Sequence, residues 1–193
     1  EPYRRQRQMC IRDRLEEMTL EQKVGQLFLV RPDSLDLSQT QDQINDAKAD
    51  GVTELTDAMR QTLAEYPVGG VVIFGKNLES PQQITQFLDD LQQASDTPLF
   101  TAIDEEGGLV ARLANNAAFD LPQYESAAAV GTSGNPEDAR AMGRTIGGYL
   151  KEYGFNLDFA PVADVNTNPD NPVIGTRAFS SEPQTAADLV GGA

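Results

Sequence analysis

The sequence predicts an α/β fold, a parallel sheet with helical cover, on three observations. Short apolar runs rich in strand formers alternate with longer segments of helical period. The connections between those runs are long enough for right-handed crossovers. The third run, Leu99 to Ile103, ends in Asp104-Glu105-Glu106-Gly107-Gly108, at the strand end where such sheets keep their ligand chemistry.

The elements follow in order. Thr19-Leu20-Glu21-Gln22 has the Ser/Thr-x-x-Glu/Gln form of a capping box, and Leu20, Val24 and Leu27 follow at helical spacing. That helix is expected to run into a first strand, Leu27-Phe28-Leu29-Val30, closed by Pro32. Asp33 to Asp50 is polar and reads as one exposed helix among loops, whereas Val52 to Ala64 places Leu55, Met59 and Leu63 on one face. Val68 to Gly75 is a second buried strand, and Ser80-Pro81 opens a helix with an N-cap serine and an N1 proline, its core face Ile84, Leu88 and Leu91. Pro98 introduces the third strand, Leu99 to Ile103. Asn135-Pro136 caps a helix from about Glu137 to Tyr153, with Met142, Ile146 and Leu150 on its inner face. Leu157 to Asp164 is the fourth strand, and a last helix begins after Ser181-Glu182-Pro183.

A doubly wound sheet or a (β/α)8 barrel could grow from this order. No G-x-G-x-x-G follows any strand, which argues against dinucleotide binding. Four strands make half of a barrel that needs roughly 250 residues, so the expectation is a domain incomplete at its C-terminus.

With 39% apolar and 23% charged residues in 193, the chain has the composition of a soluble globular domain, and no run approaches the roughly 20 apolar residues of a membrane span. Residues 1–14 stand apart. They hold five arginines against Glu1 and Asp13, lack a hydrophobic period, and look like translated adapter sequence; they are set aside as a non-native scar, the alternative being a basic targeting arm. Under that reading a natural signal or lipoprotein anchor would have been lost, so localisation is left open. Residues 15–193 then carry ten Lys and Arg against 28 Asp and Glu. Nucleic acid and anionic membrane surfaces are poor partners for such a body. The single cysteine, Cys10, falls in the scar, so thiolate metal sites and disulfide frameworks are excluded from the body.

Asp104, at a strand terminus, could accept hydrogen bonds from two sugar hydroxyls, or could be an ordinary cap or turn aspartate. Gly107-Gly108 would let the backbone turn sharply and a ligand approach, or would be a plain turn. Arg112 could point back over the same strand end and Arg177 could reach the same mouth, although a lone arginine is more often a surface charge. Asp164 to Asp170 superficially resembles a calcium loop but has Pro169 where the sharp turn needs glycine and Gly175 where a bidentate glutamate is expected. The chain has no histidine, which removes Ser-His-Asp, Cys-His and histidine-metal chemistry. Carboxylate pairs remain: Glu105, Glu106, Asp158 and Asp164 are the residues that could in principle act as acid and base in glycoside hydrolysis, with Asp158 also readable as a buried structural carboxylate.

Five segments, in order, resemble the N-terminal barrel domain of glycoside hydrolase family 3, most closely its β-N-acetylglucosaminidase branch of the peptidoglycan-recycling type. They are Met18 to Leu27, Gly69 to Phe74, Asp104 to Gly108 with Arg112, Phe159 to Val165, and Ile174 to Phe179. The resemblance implies a (β/α)8 barrel of which this chain is the N-terminal half. It implies a retaining hydrolase of terminal β-linked N-acetylhexosamine in peptidoglycan or chitin-type oligosaccharides, with Asp104, Arg112 and Arg177 binding the sugar and no metal or organic cofactor. The aspartate nucleophile and the histidine-centred acid/base of the family have no counterpart here and are expected beyond residue 193, so the chain alone is expected to be inactive. A broader β-glucosidase of the family, or a sugar-binding barrel relative without the catalytic loop, are the alternative readings.

Overall fold

The computed structural model describes residues 12–193. Of the segment set aside as a scar, residues 1–11, Cys10 included, lie outside the described residues, and residues 12–17 are helical.

Four parallel strands form the sheet: β1 (Leu29–Val30), β2 (Gly70–Ile73), β3 (Phe100–Ile103) and, after a small antiparallel pair of β4 (Glu105–Gly107) and β5 (Val110–Ala111), β6 (Leu157–Asp158). Their spatial order is β1-β2-β3-β6, chain order without reversal. A doubly wound sheet reverses its strand order at a switch point and a (β/α)8 barrel does not. The sheet is therefore an arc of the barrel type. Gly70 pairs with Phe100, Ile73 with Ile103, and Ile103 in turn with Asp158, so the carboxyl ends of the strands lie level.

Helices α1 (Leu20–Gly25), α2 (Gln41–Asn45), α3 (Asp57–Glu65), α4 (Pro81–Ala94), α5 (Ala127–Gly131), α6 (Pro136–Glu152) and α7 (Pro183–Gly192) connect and cover these strands. Capping follows the sequence: the Thr19 hydroxyl accepts from Gln22 N while Gln22 Oε1 accepts from Thr19 N, and Ser80 accepts from Gln83 N ahead of Pro81. Ile84, Phe87, Leu88 and Leu91 of α4 and Met142, Ile146 and Leu150 of α6 pack on Val71, Ile73 and Ile103 of the sheet. Each side chain buried in this way contributes about 1.5–3 kcal/mol.

Three expectations are corrected. The fourth strand has two residues, not eight, because its partner β3 ends at Ile103, opposite Asp158, and Pro161 has no N–H to continue a ladder. The first strand is likewise only Leu29–Val30, and the apolar positions ahead of it face solvent: Leu20 is 71% exposed and Leu27 80%. Finally, the polar stretch after Val30 is not wholly superficial. A 3-10 turn, Pro32–Leu35, buries Asp33 completely; its carboxylate meets Lys76 Nζ at 3.2 Å and accepts from Asn77 Nδ2 at 3.0 Å and Val52 N at 3.2 Å. That buried pair ties the loop after β1 to the loop after β2.

The Gly107-Gly108 turn between β4 and β5 uses left-handed backbone, φ +83° and +67°, and a Cβ on Gly107 would run into the end of Met142 on α6. Gly107→Ala is expected to cost about 1–3 kcal/mol of stability, read as a lower midpoint in denaturant titration.

Candidate active site

The candidate site lies at the carboxyl end of β3. Ile103 is the last ladder residue, and Asp104 follows it as a half-buried carboxylate beyond the sheet. The β4–β5 turn then folds the chain back, so that Arg112, eight residues on, donates from Nη2 to Asp104 Oδ2 at 3.2 Å. About a third of the Arg112 side chain and a quarter of that of Asp104 remain accessible, which leaves donors and acceptors free for a ligand. Arg112 also stands 5.7 Å from the centre of the Phe74 ring at the end of β2, a ring that Arg31 covers at 4.4 Å.

Arg177 reaches the same mouth from the 3-10 turn Gly175–Arg177. It does not touch Asp104. It forks onto Glu106, Nε to Oε2 at 2.8 Å and Nη2 to Oε1 at 2.6 Å, the bidentate geometry that a planar guanidinium offers a carboxylate. The bond to Glu106 raises the Arg177 pKa above its ordinary value against the opposing effect of burial, and the charges of Glu106, Asp104 and Asp164 add to the rise. Asp104 and Arg112 are thus in direct contact, whereas Arg177 is paired with Glu106, two residues along the chain from Asp104.

The carboxylates considered for acid and base are sorted by the fold. Glu105 is fully buried, with both oxygens occupied by main-chain donors. Glu106 is committed to Arg177. Asp164 is exposed on the loop after β6. Asp158 accepts Glu105 N–H at 2.9 Å and lines, with Glu105, Glu106, Met142, Ile146 and Phe179, a cavity of about 200 Å³ on the α6 side of the strand ends. Asp104 and Arg112 do not line that cavity. Arg112 borders a second one of about 220 Å³, walled by Arg31, Asn45, Phe74 and Lys76. Lys76, which lines this second cavity, and Asp33, its buried partner, give no signal in the sequence beyond a lysine after Phe74-Gly75 and an aspartate in a polar stretch.

Burial pushes the Asp158 carboxyl up to about 7, opposed by its bond from Glu105 N–H and reinforced by the charges of Glu105, Asp104 and Glu106. A carboxyl whose folded pKa is raised lets the unfolded chain ionise first. Its stability is present in full below the ordinary carboxylate range and is lost as pH rises to about 7. Asp158→Asn keeps the acceptor oxygen and removes the charge. In thermal melts it is expected to match the wild-type chain near pH 4 and to exceed it at pH 8; a difference that does not change with pH would count against the raised pKa.

Among the described residues no cluster of His, Cys, Asp and Glu could hold a metal ion, and no helix is long and apolar enough to cross a membrane.

A beta-hexosaminidase A from Pseudoalteromonas piscicida is 36% identical over 143 residues, 72% of this chain and 24% of that protein. A beta-hexosaminidase from Pseudomonas aeruginosa (strain LESB58) is 35% identical over 142 residues, 73% of this chain and 41% of its own length. The chain therefore spans between a quarter and about two fifths of these relatives. Among solved structures, a glycoside hydrolase family 3 beta-N-acetylglucosaminidase from Paenibacillus sp. str. FPU-7 matches with a TM-score of 0.75 and 33% identity over 91% of this chain and 30% of that one. Native NagZ from Neisseria gonorrhoeae matches with a TM-score of 0.65 and 26% identity over 73% of this chain and 42% of that one. The pattern of the glycosyl hydrolase family 3 N-terminal domain matches residues 19–192, nearly the whole described chain, and the chain belongs to that family.

Proposed function

We propose that the protein carrying this chain is a glycoside hydrolase that removes terminal β-linked N-acetylhexosamine from peptidoglycan or chitin-type oligosaccharides with retention of configuration, and that Asp104, Arg112 and Arg177 form its sugar-binding wall. The observation that carries the reading is the partly accessible Asp104–Arg112 pair beyond the end of β3, with the Arg177–Glu106 fork nearby. A carboxylate beside guanidinium groups offers acceptors and donors to adjacent hydroxyls and to an acetamido oxygen at once. The β-hexosaminidase names of the relatives support the acetamido sugar over plain glucose.

The chemistry itself is assigned to residues outside this chain. Glu105 and Glu106 are occupied, and Asp158 lines a cavity that Asp104 does not, so in this reading the wall binds and orients the sugar while the nucleophile and the proton donor are supplied from elsewhere. The test is hydrolysis of an aryl N-acetyl-β-glucosaminide and of the matching aryl β-glucoside by the enzyme that carries the chain. Preferential release of the aryl group from the acetamido substrate is expected, with β-configured product in the first turnover. Equal rates on the two substrates would contradict the acetamido assignment, and no release from either would contradict the hydrolase assignment.

A further inference from the structure

Glu105 has no part in the binding wall, yet it is among the most buried polar residues of the chain, with none of its surface accessible. Taking a carboxylate out of water is costly, and the usual remedy is a cationic partner. Among the described residues Glu105 has none: the ion pairs there involve Asp33, Asp90, Asp104, Glu106 and Glu137. It is satisfied by three donors instead, Leu113 N at 2.9 Å on Oε2, and Ala114 N and Tyr149 Oη, each at 2.9 Å, on Oε1. Burial, reinforced by the charge and hydrogen bond of Glu105, raises the pKa of the Tyr149 phenol, which stays a donor.

The place of these bonds in the chain gives them meaning. Leu113 and Ala114 directly follow Arg112, and Glu105 directly follows Asp104. The Glu105 side chain therefore clamps the main chain next to one member of the pair, while its own backbone is the neighbour of the other member. That backbone is fixed in turn, because Glu105 N–H is donated to Asp158 at 2.9 Å. Glu105 thus links the two chain segments by its side chain as well as by the β4–β5 pairing of Glu105 with Ala111, and it is anchored on β6 and α6.

We infer that Glu105 is a positioning residue for the Asp104–Arg112 pair, holding it preorganised for a sugar by binding the Leu113 and Ala114 N–H groups. Preorganisation by a buried hydrogen-bonded anchor is what keeps a long, half-exposed arginine from sampling other rotamers when no ligand is present. The inference rests on the reading of the pair as the sugar-binding wall.

The test compares Glu105→Ala, Glu105→Gln and Tyr149→Phe with the wild type in the enzyme that carries this chain, by crystal structure, by melting temperature, and by kcat/KM on an aryl N-acetyl-β-glucosaminide, alone and with Arg112→Ala. In Glu105→Ala the Arg112–Asp104 contact is expected to open beyond the roughly 3.5 Å limit of a hydrogen bond. Its kcat/KM is expected to fall about 10²-fold, the scale of a misplaced binding group. With Arg112 already alanine the further loss should shrink below about threefold, while the fall in melting temperature stays the same in both backgrounds. Glu105→Gln keeps one acceptor oxygen and should fall between; Tyr149→Phe leaves both main-chain bonds and should have a several-fold smaller effect than Glu105→Ala. A contact that stays closed in Glu105→Ala, or a loss undiminished by Arg112→Ala, overturns the inference. If Glu105→Ala does not fold, Glu105→Gln decides by the same two readouts. An enzyme that releases no aryl group would defeat the hydrolase reading, and the crystal structures would still decide whether Glu105 holds the pair.

Discussion

Asp104→Ala, in the enzyme that carries this chain, is expected to lower kcat/KM on an N-acetylhexosaminide by at least about 10²-fold, the equivalent of roughly 2.7 kcal/mol of transition-state binding. The size follows from what the substitution leaves behind. Asp104 lies just past the last ladder residue of β3 and contributes no ladder bond beyond Ile103, so the fold loses little. The Arg112 guanidinium loses the carboxylate that orients it, and two sugar hydroxyls lose an ionised acceptor, a type of bond worth about twice a neutral one. Asp104→Asn should recover part of the loss, since one acceptor oxygen remains. The melting temperature of the Ala variant should stay within a few degrees of the wild type. Unchanged kinetics on the hexosaminide would remove Asp104 from the site.

Arg177→Ala is expected to act differently, on stability as well as on activity. Glu106 is nearly buried, 6% of its side chain accessible, and the Arg177 fork is its only ion pair among the described residues. Removing the arginine leaves that carboxylate unpaired in a low-dielectric wall, at a cost of about 2–4 kcal/mol. Denaturant melts at neutral pH should show that loss. The double replacement of Glu106 and Arg177 by Gln and Ala should be less destabilised than Arg177→Ala alone, because the uncompensated charge is gone. A single variant as stable as the wild type would mean that the fork is a surface contact of no consequence.

Much of this arrangement is legible in the sequence where local chemistry fixes local structure. Thr19 and Gln22, Ser80 with Pro81, and Asn135 with Pro136 mark helix starts because caps satisfy main-chain donors within three residues. Gly107-Gly108 marks a turn because only glycine adopts that backbone without strain. Asp104 is singled out by its place at a strand end, and Arg112 and Arg177 join it as candidates through the resemblance. What escapes is set by distant neighbours. Nothing near Asp33 in sequence announces Lys76 or Asn77 as its partners, more than 40 residues away. Glu105 and Glu106 are adjacent and chemically alike, yet the pleat of β4 sends one to the α6 side to meet Tyr149 and the other to Arg177. The apolar residues after Asp158 imitate a long strand, but a ladder needs a partner, and β3 turns away at Ile103.

The most direct measurement is a crystal structure of the enzyme that carries this chain with N-acetylglucosamine bound. The sugar is expected beyond the end of β3, with Asp104 and Arg112 both within hydrogen-bond distance of its hydroxyls or acetamido group and Arg177 alongside. A sugar bound with neither Asp104 nor Arg112 in contact would contradict the assignment of this strand end as the binding wall.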